Sequence, residues 1–167
     1  MENQTIKRTF FTTDLCDAHP SVVAVVESIF RDFGAAKSFM GEIVTLKIFE
    51  DNALVREMLE TDGTGKVLVI DGGGSLRCAL VGGNLGVLGA KNGWQGIVVF
   101  GAVRDSLELA QTPIGIKALA TNPMKSIKKG AGERNIAVKF GGVTFRAGDW
   151  LFADEDGIIV SVKNLLN

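Results

Sequence analysis

The sequence predicts a mixed α/β domain. Its central half alternates apolar β-type runs with helical patterns, β-α-β-α-β, as parallel strands joined by crossover helices do. The last third instead reads as short β runs separated by "GG", "AGD" and "DEDG" turns, with no helical period. Nothing resembling a linker separates the two parts. The β-rich C-terminal part is therefore expected to pack on or extend the same sheet, giving a single domain over residues 1–167. With 46% hydrophobic and 22% charged residues, a chain of 167 can bury a core without disulfides or a structural metal.

The elements follow in order. "EIVTLKIF", 42–49, is a β-type run. In "DNALVREMLE", Asp51 or Asn52 can cap a helix whose Leu54, Val55, Met58 and Leu59 share one face. "KVLVID", 66–71, is the continuous apolar run of a strand buried on both faces, and it empties into the turn "DGGGS". A second helix is expected from about Asn84 to Asn92, ended by a left-handed Gly93. Ile97 to Phe100 then forms a strand, after which the chain is expected to turn through Gly101. "SVVAVVESIF", 21–30, fits strand or helix equally, because a short apolar run has no decisive period.

Composition narrows the function. Eighteen basic and 19 acidic residues give a net charge of −1, without the basic face that nucleic acid requires. The one basic cluster, "KSIKKG" from Lys125 to Gly130, reads as a solvated loop. Cys16 and Cys78 do not make a disulfide framework, and "MENQTIKRTF" is no secretory leader, so a cytoplasmic location is expected. No apolar run approaches the roughly 18 residues that cross a bilayer. His19 is the only histidine, which excludes a site with two histidine ligands from one chain.

Neither G-x-G-x-x-G nor a P-loop is present, so nucleotide binding has no support. In "LVGGNLG", 80–86, Gly82 and Gly83 precede the expected helix. Free N–H groups there, with no side chain at two positions, can seat a carboxylate or phosphate; a tight turn with an Asn84 cap explains the same residues. Ligands of open α/β sheets bind beyond the carboxyl ends of the strands, which brings the loops after Ile70, Leu80 and Phe100 to one crevice. Arg104 and Asp105 of "GIVVFGAVRD" then adjoin the Gly82 to Leu85 amides. Arg104 can grip a carboxylate through its planar fork and Asp105 can hold a hard divalent cation, unless the two simply pair with each other.

"LCD", "FEDN", "VLVIDGGGSLRCALVGGNL", "NGWQGIVVFGAVRD" and "FGGVTFRAGDWLFADEDGII" resemble the regulator of ribonuclease activity A family, whose relatives include metal-dependent 4-hydroxy-4-methyl-2-oxoglutarate aldolases. The likeness runs from about Leu15 to Ile159. It implies a swivelling β/β/α fold and a homotrimer. It also implies pyruvate binding by the backbone of Gly82, Gly83, Asn84 and Leu85, substrate binding by Arg104, and Mg2+ or Mn2+ on Asp105. The implied activity is aldol cleavage, with oxaloacetate decarboxylation through the same pyruvate enolate; the alternative is a non-catalytic regulator that binds ribonuclease E. One position departs from the aldolase pattern, which has an aspartate where this chain has Gly83. A Schiff-base enzyme would need a desolvated lysine, and nothing in the sequence marks Lys66 or Lys91 as one.

Overall fold

The computed structural model describes residues 8–166. A short helix α1 (Thr12–Ala18) leads into two brief strands, β1 (Ala24–Val25) and β2 (Arg31–Asp32). The central segment runs β3 (Phe39–Lys47), α2 (Ala53–Leu59), β4 (Lys66–Asp71), β5 (Ala79–Val81), α3 (Gly83–Lys91), β6 (Gly96–Val103), α4 (Ser106–Leu109) and β7 (Gly115–Thr121). The C-terminal part contributes only strands: β8 (Glu133–Arg134), β9 (Val138–Phe140), β10 (Val143–Phe145), β11 (Trp150–Asp154) and β12 (Gly157–Ser161).

Ten of the strands form one mixed sheet with central order β1-β12-β11-β3-β4-β6-β7-β2, while β9 and β10 form a separate hairpin. β3, β4, β6 and β7 are successively parallel, and β11 joins antiparallel to β3, pairing Phe39 with Ala153 and Glu42 with Trp150. The expected C-terminal extension of the sheet is thus present. β4 occupies the predicted 66–71, buried on both faces because side chains alternate across a strand. Leu68 and Ile70 pack with Leu54, Val55 and Leu59 of α2 and with Leu85 of α3. Val67 and Val69 pack on the opposite face with Phe140, Phe145, Leu151 and Ile158.

Several boundaries differ from the expectations. The strand expected at 42–49 spans 39–47, because Phe39 is drawn into the core and its ring lies over the paired Gly96 and Gly115. A Cβ on either glycine would fall 2.0–2.2 Å from that ring. The helix expected from Asn84 begins at Gly83, and Gly93 ends it with φ +85. The strand expected to stop at Phe100 continues through Gly101 to Val103, where β5 on one side and β7 on the other keep it paired. Of the ambiguous 21–30 only Ala24–Val25 is regular structure, paired with β12. Among the described residues no helix is long and apolar enough to cross a membrane.

Candidate active site at the start of α3

β6 ends at Val103 and delivers Arg104 and Asp105 beside the end of β5, with the Arg104 N–H donating to the Val81 carbonyl at 2.9 Å. Asp105 adopts left-handed backbone, φ 59 and ψ 46, which aspartate tolerates better than most residues. Although it stands at the N-cap of α4, its carboxylate does not cap that helix. It turns instead to α3, where Oδ2 accepts the Gly83 N–H at 2.9 Å. A negative charge there is favourable, because the first turn of a helix presents unpaired N–H groups at the positive end of its dipole.

The arrangement bears on the alternatives left open for these residues. Arg104 and Asp105 do not pair with each other, and Arg104 makes no ion pair among the described residues; its Nη1 donates only to the Pro123 carbonyl, at 3.4 Å. The Gly83 N–H is committed to Asp105, so of the four backbone groups expected to seat an anion, Gly82, Asn84 and Leu85 keep N–H groups that donate to no acceptor among the described residues. Both glycines are explained by close approach. A Cβ on Gly82 would lie 2.8 Å from Asp105 Oδ2 and 3.3 Å from Arg104 Cγ, and one on Gly83 would lie 2.1 Å from Glu108 Oε2.

Gly82, Asn84, Leu85, Arg104 and Asp105 line one small open cleft. Three residues that sequence reasoning did not place in the site complete its lining: Asn52, Arg56 and Lys128. Lys128 belongs to the basic cluster expected as a solvated loop. That loop is fastened: Ser126 is buried, and buried Asp51 accepts the Lys129 and Ala131 N–H groups, both at 3.0 Å, and the Ala53 N–H at 3.1 Å. Burial opposes the Asp51 charge, yet these backbone donors hold its carboxyl below the ordinary carboxylate value. Asp51 therefore supplies the side-chain bond at the start of α2 expected of Asp51 or Asn52. Asn52 faces elsewhere: Nδ2 donates to the Leu80 carbonyl at 3.1 Å, and Oδ1 is buried with no donor.

Of the described residues that line the cleft, Asp105 is the one that offers an anionic oxygen to a hard divalent cation. Asp105 keeps one carboxylate oxygen that accepts no hydrogen bond, and no group of three or more His, Cys, Asp or Glu occurs among the described residues. A cation held by Asp105 would take its remaining positions from water and ligand, as Mg2+ commonly does. Neither Lys66 nor Lys91 lines the cleft. The buried lysine is Lys117, whose Nζ lies 3.1 Å from Asp32 Oδ1 and donates to the Asp154 carbonyl at 2.6 Å.

The chain is similar to several known proteins. A relative from Alkalilimnicola ehrlichii, named "Putative 4-hydroxy-4-methyl-2-oxoglutarate aldolase", is 57% identical over 155 residues, covering 93% of this chain and 96% of its own. The solved structure of the RNA-processing inhibitor RraA from Thermus thermophilis is 49% identical, with a TM-score of 0.89 and coverage of 92% of this chain and 93% of that one. A structure named S-adenosylmethionine: 2-dimethylmenaquinone methyltransferase, from Geobacillus kaustophilus, is 44% identical, with a TM-score of 0.92 and coverage of 94% and 98%. The names differ, but the fold is common to all. A family model described as RraA-like, Aldolase/RraA, matches residues 12–160, and the chain belongs to that family.

Proposed function

We propose that this protein is a divalent-metal-dependent aldolase that cleaves 4-hydroxy-4-methyl-2-oxoglutarate to pyruvate and decarboxylates oxaloacetate through the same pyruvate enolate. The observation that carries the reading is the separation of Arg104 from Asp105 at one cleft, a cation and an anion that do not neutralise each other. The substrate carboxylate is received by the free Asn84 and Leu85 N–H groups, and the Arg104 fork binds the pyruvyl oxygens. Asp105, steadied through Oδ2 by Gly83, presents its other oxygen to the cation. Mg2+ or Mn2+ bound there would supply Lewis acidity toward the 2-oxo group and the developing enolate. Both reactions generate that enolate, so one set of protein contacts serves both.

A homotrimer is part of the proposal. Phe49, Leu76, Met124 and Ile127 are exposed apolar residues on loops, and contact with a second copy would bury them. A second reading, a regulator that binds ribonuclease E without chemistry, is favoured by the resemblance to the RNA-processing inhibitor RraA. One experiment separates the two. Purified protein is given oxaloacetate and 4-hydroxy-4-methyl-2-oxoglutarate with Mg2+, then with EDTA, and pyruvate is measured. Metal-dependent release supports the aldolase; none from either substrate supports the regulator.

A further inference from the structure

The cleft holds more positive charge than a pyruvyl unit requires. Its lining carries Arg56, Arg104 and Lys128 against the carboxylate of Asp105, and one further carboxylate, Glu108, stands beside Gly83. Arg104 and Asp105 are accounted for by the proposed chemistry, whereas Arg56 and Lys128 have no assignment. Neither makes an ion pair among the described residues, although Arg8, Arg77, Lys117 and Arg134 all do. We propose that Arg56 and Lys128 form a second anion subsite, which makes the cleft selective for 2-oxo dicarboxylates over 2-oxo monocarboxylates. This rests on the aldolase reading and deepens it by naming the residues that recognise the distal carboxylate.

The two cations stand on separate segments that are fastened to each other. Arg56 lies on α2 away from Leu54, Val55 and Leu59, the residues that face the core. Lys128 is bracketed by pinned backbone. On one side the Ile127 N–H donates to the Glu50 carbonyl and the Asn52 N–H to the Ile127 carbonyl, both at 3.2 Å. On the other side the Lys129 N–H is held by Asp51. The stretch from Glu50 to Asn52 thus positions both the start of α2 and the Lys128 loop, which lowers the ordering cost of presenting two charges to one ligand.

Calorimetric titration of the whole protein in Mg2+ with 2-oxoglutarate and with 2-oxopentanoate tests the subsite. The two ligands have equal chain length and differ only in the distal carboxylate, and neither has a β-carboxylate to lose. The expected result is that 2-oxoglutarate binds about tenfold or more tightly and that added salt narrows the gap. In Arg56→Met and in Lys128→Met the ratio of affinities should fall below about threefold. Equal affinity of the wild type for both ligands overturns the subsite and leaves the aldolase reading standing. An equal loss for both ligands in the two variants also overturns it, since that marks a structural role. Failure of the wild type to bind either ligand overturns the aldolase reading and the subsite together.

Discussion

The Asp105 carboxylate reaches back to the Gly83 N–H at 2.9 Å, tying the end of β6 to the first turn of α3. This bond sets the distance between a prospective cation and the free N–H groups of Asn84 and Leu85. It also separates two consequences of replacing Asp105. In Asp105→Asn the side-chain oxygen can still accept the Gly83 N–H, and asparagine tolerates left-handed backbone. The variant should melt within a few degrees of the wild type, corresponding to about 1 kcal/mol or less. Its metal-dependent pyruvate release should fall by about 100-fold or more, because the charge that holds a hard cation is gone. Activity surviving both this substitution and EDTA would refute the metal mechanism.

Arg104 makes no ion pair among the described residues, and apart from the bond of Nη1 to the Pro123 carbonyl its fork is available to a ligand. Arg104→Lys should lose nearly as much turnover as Arg104→Ala, since lysine supplies charge without the planar fork. Steady-state kinetics on oxaloacetate decide the point. Near wild-type kcat/KM in the lysine variant would leave Arg104 a merely electrostatic role.

Gly83 is where the chain departs from the aldolase pattern, which has an aspartate there. The backbone permits it, because Gly83 is not among the positive-φ residues, but Glu108 stands in the way with Oε2 2.1 Å from the new Cβ. Gly83→Asp alone should therefore give no gain, since it crowds a third carboxylate against Glu108 and Asp105. Combined with Glu108→Ala it should increase pyruvate release severalfold. A double variant that is stable and no faster would show that residue 83 does not limit the rate.

Gly96 and Gly115 leave room for the Phe39 ring across two paired strands. Gly115→Ala should destabilise the protein by about 1–3 kcal/mol through overpacking, and Phe39→Leu should recover part of the loss in the double variant. Denaturant titration measures both. Additive losses would mean that the ring does not occupy that space.

Asp51 predicts an acid-sensitive loop. Its folded-state carboxyl titrates below the ordinary value, so the stability it lends is complete above the unfolded-state pKa, about 3.9, and is lost as pH falls through the lower folded value. Hydrogen exchange at Lys129 and Ala131 should accelerate, relative to the intrinsic rate, below about pH 4. In Asp51→Asn the protection should be weak already at neutral pH.

The central elements were legible because their signals are local. "KVLVID" is β4 to the residue, and "GG" before "NLG" marks the start of α3 within one position. β7 went unread because Lys117 interrupts its apolar run, and only the tertiary partners Asp32 and Asp154 make a buried lysine acceptable there. Gly101 has the composition of a turn but lies inside a strand, at the register shift between Val99 and Ala102, where the pairing of Ala102 and Val103 with β5 and β7 keeps the chain extended beyond it. For the site, the Arg104–Asp105 dipeptide and the glycine pair stood out through residue chemistry. Asn52, Arg56 and Lys128 did not, because they reach the cleft from segments far apart in sequence, and the fastening by Asp51 that brings Lys128 there has no sequence signature.

The pairing of Phe39–Glu42 with Trp150–Ala153 has a consequence for biosynthesis. A ribosome that has delivered everything through β7 has exposed a parallel sheet whose β3 still lacks its antiparallel neighbour. Until β11 and β12 emerge, that hydrogen-bonding edge is open to strand addition by other nascent chains. The sheet can close only late in translation, so the final described strands guard against aggregation during synthesis as well as completing the fold.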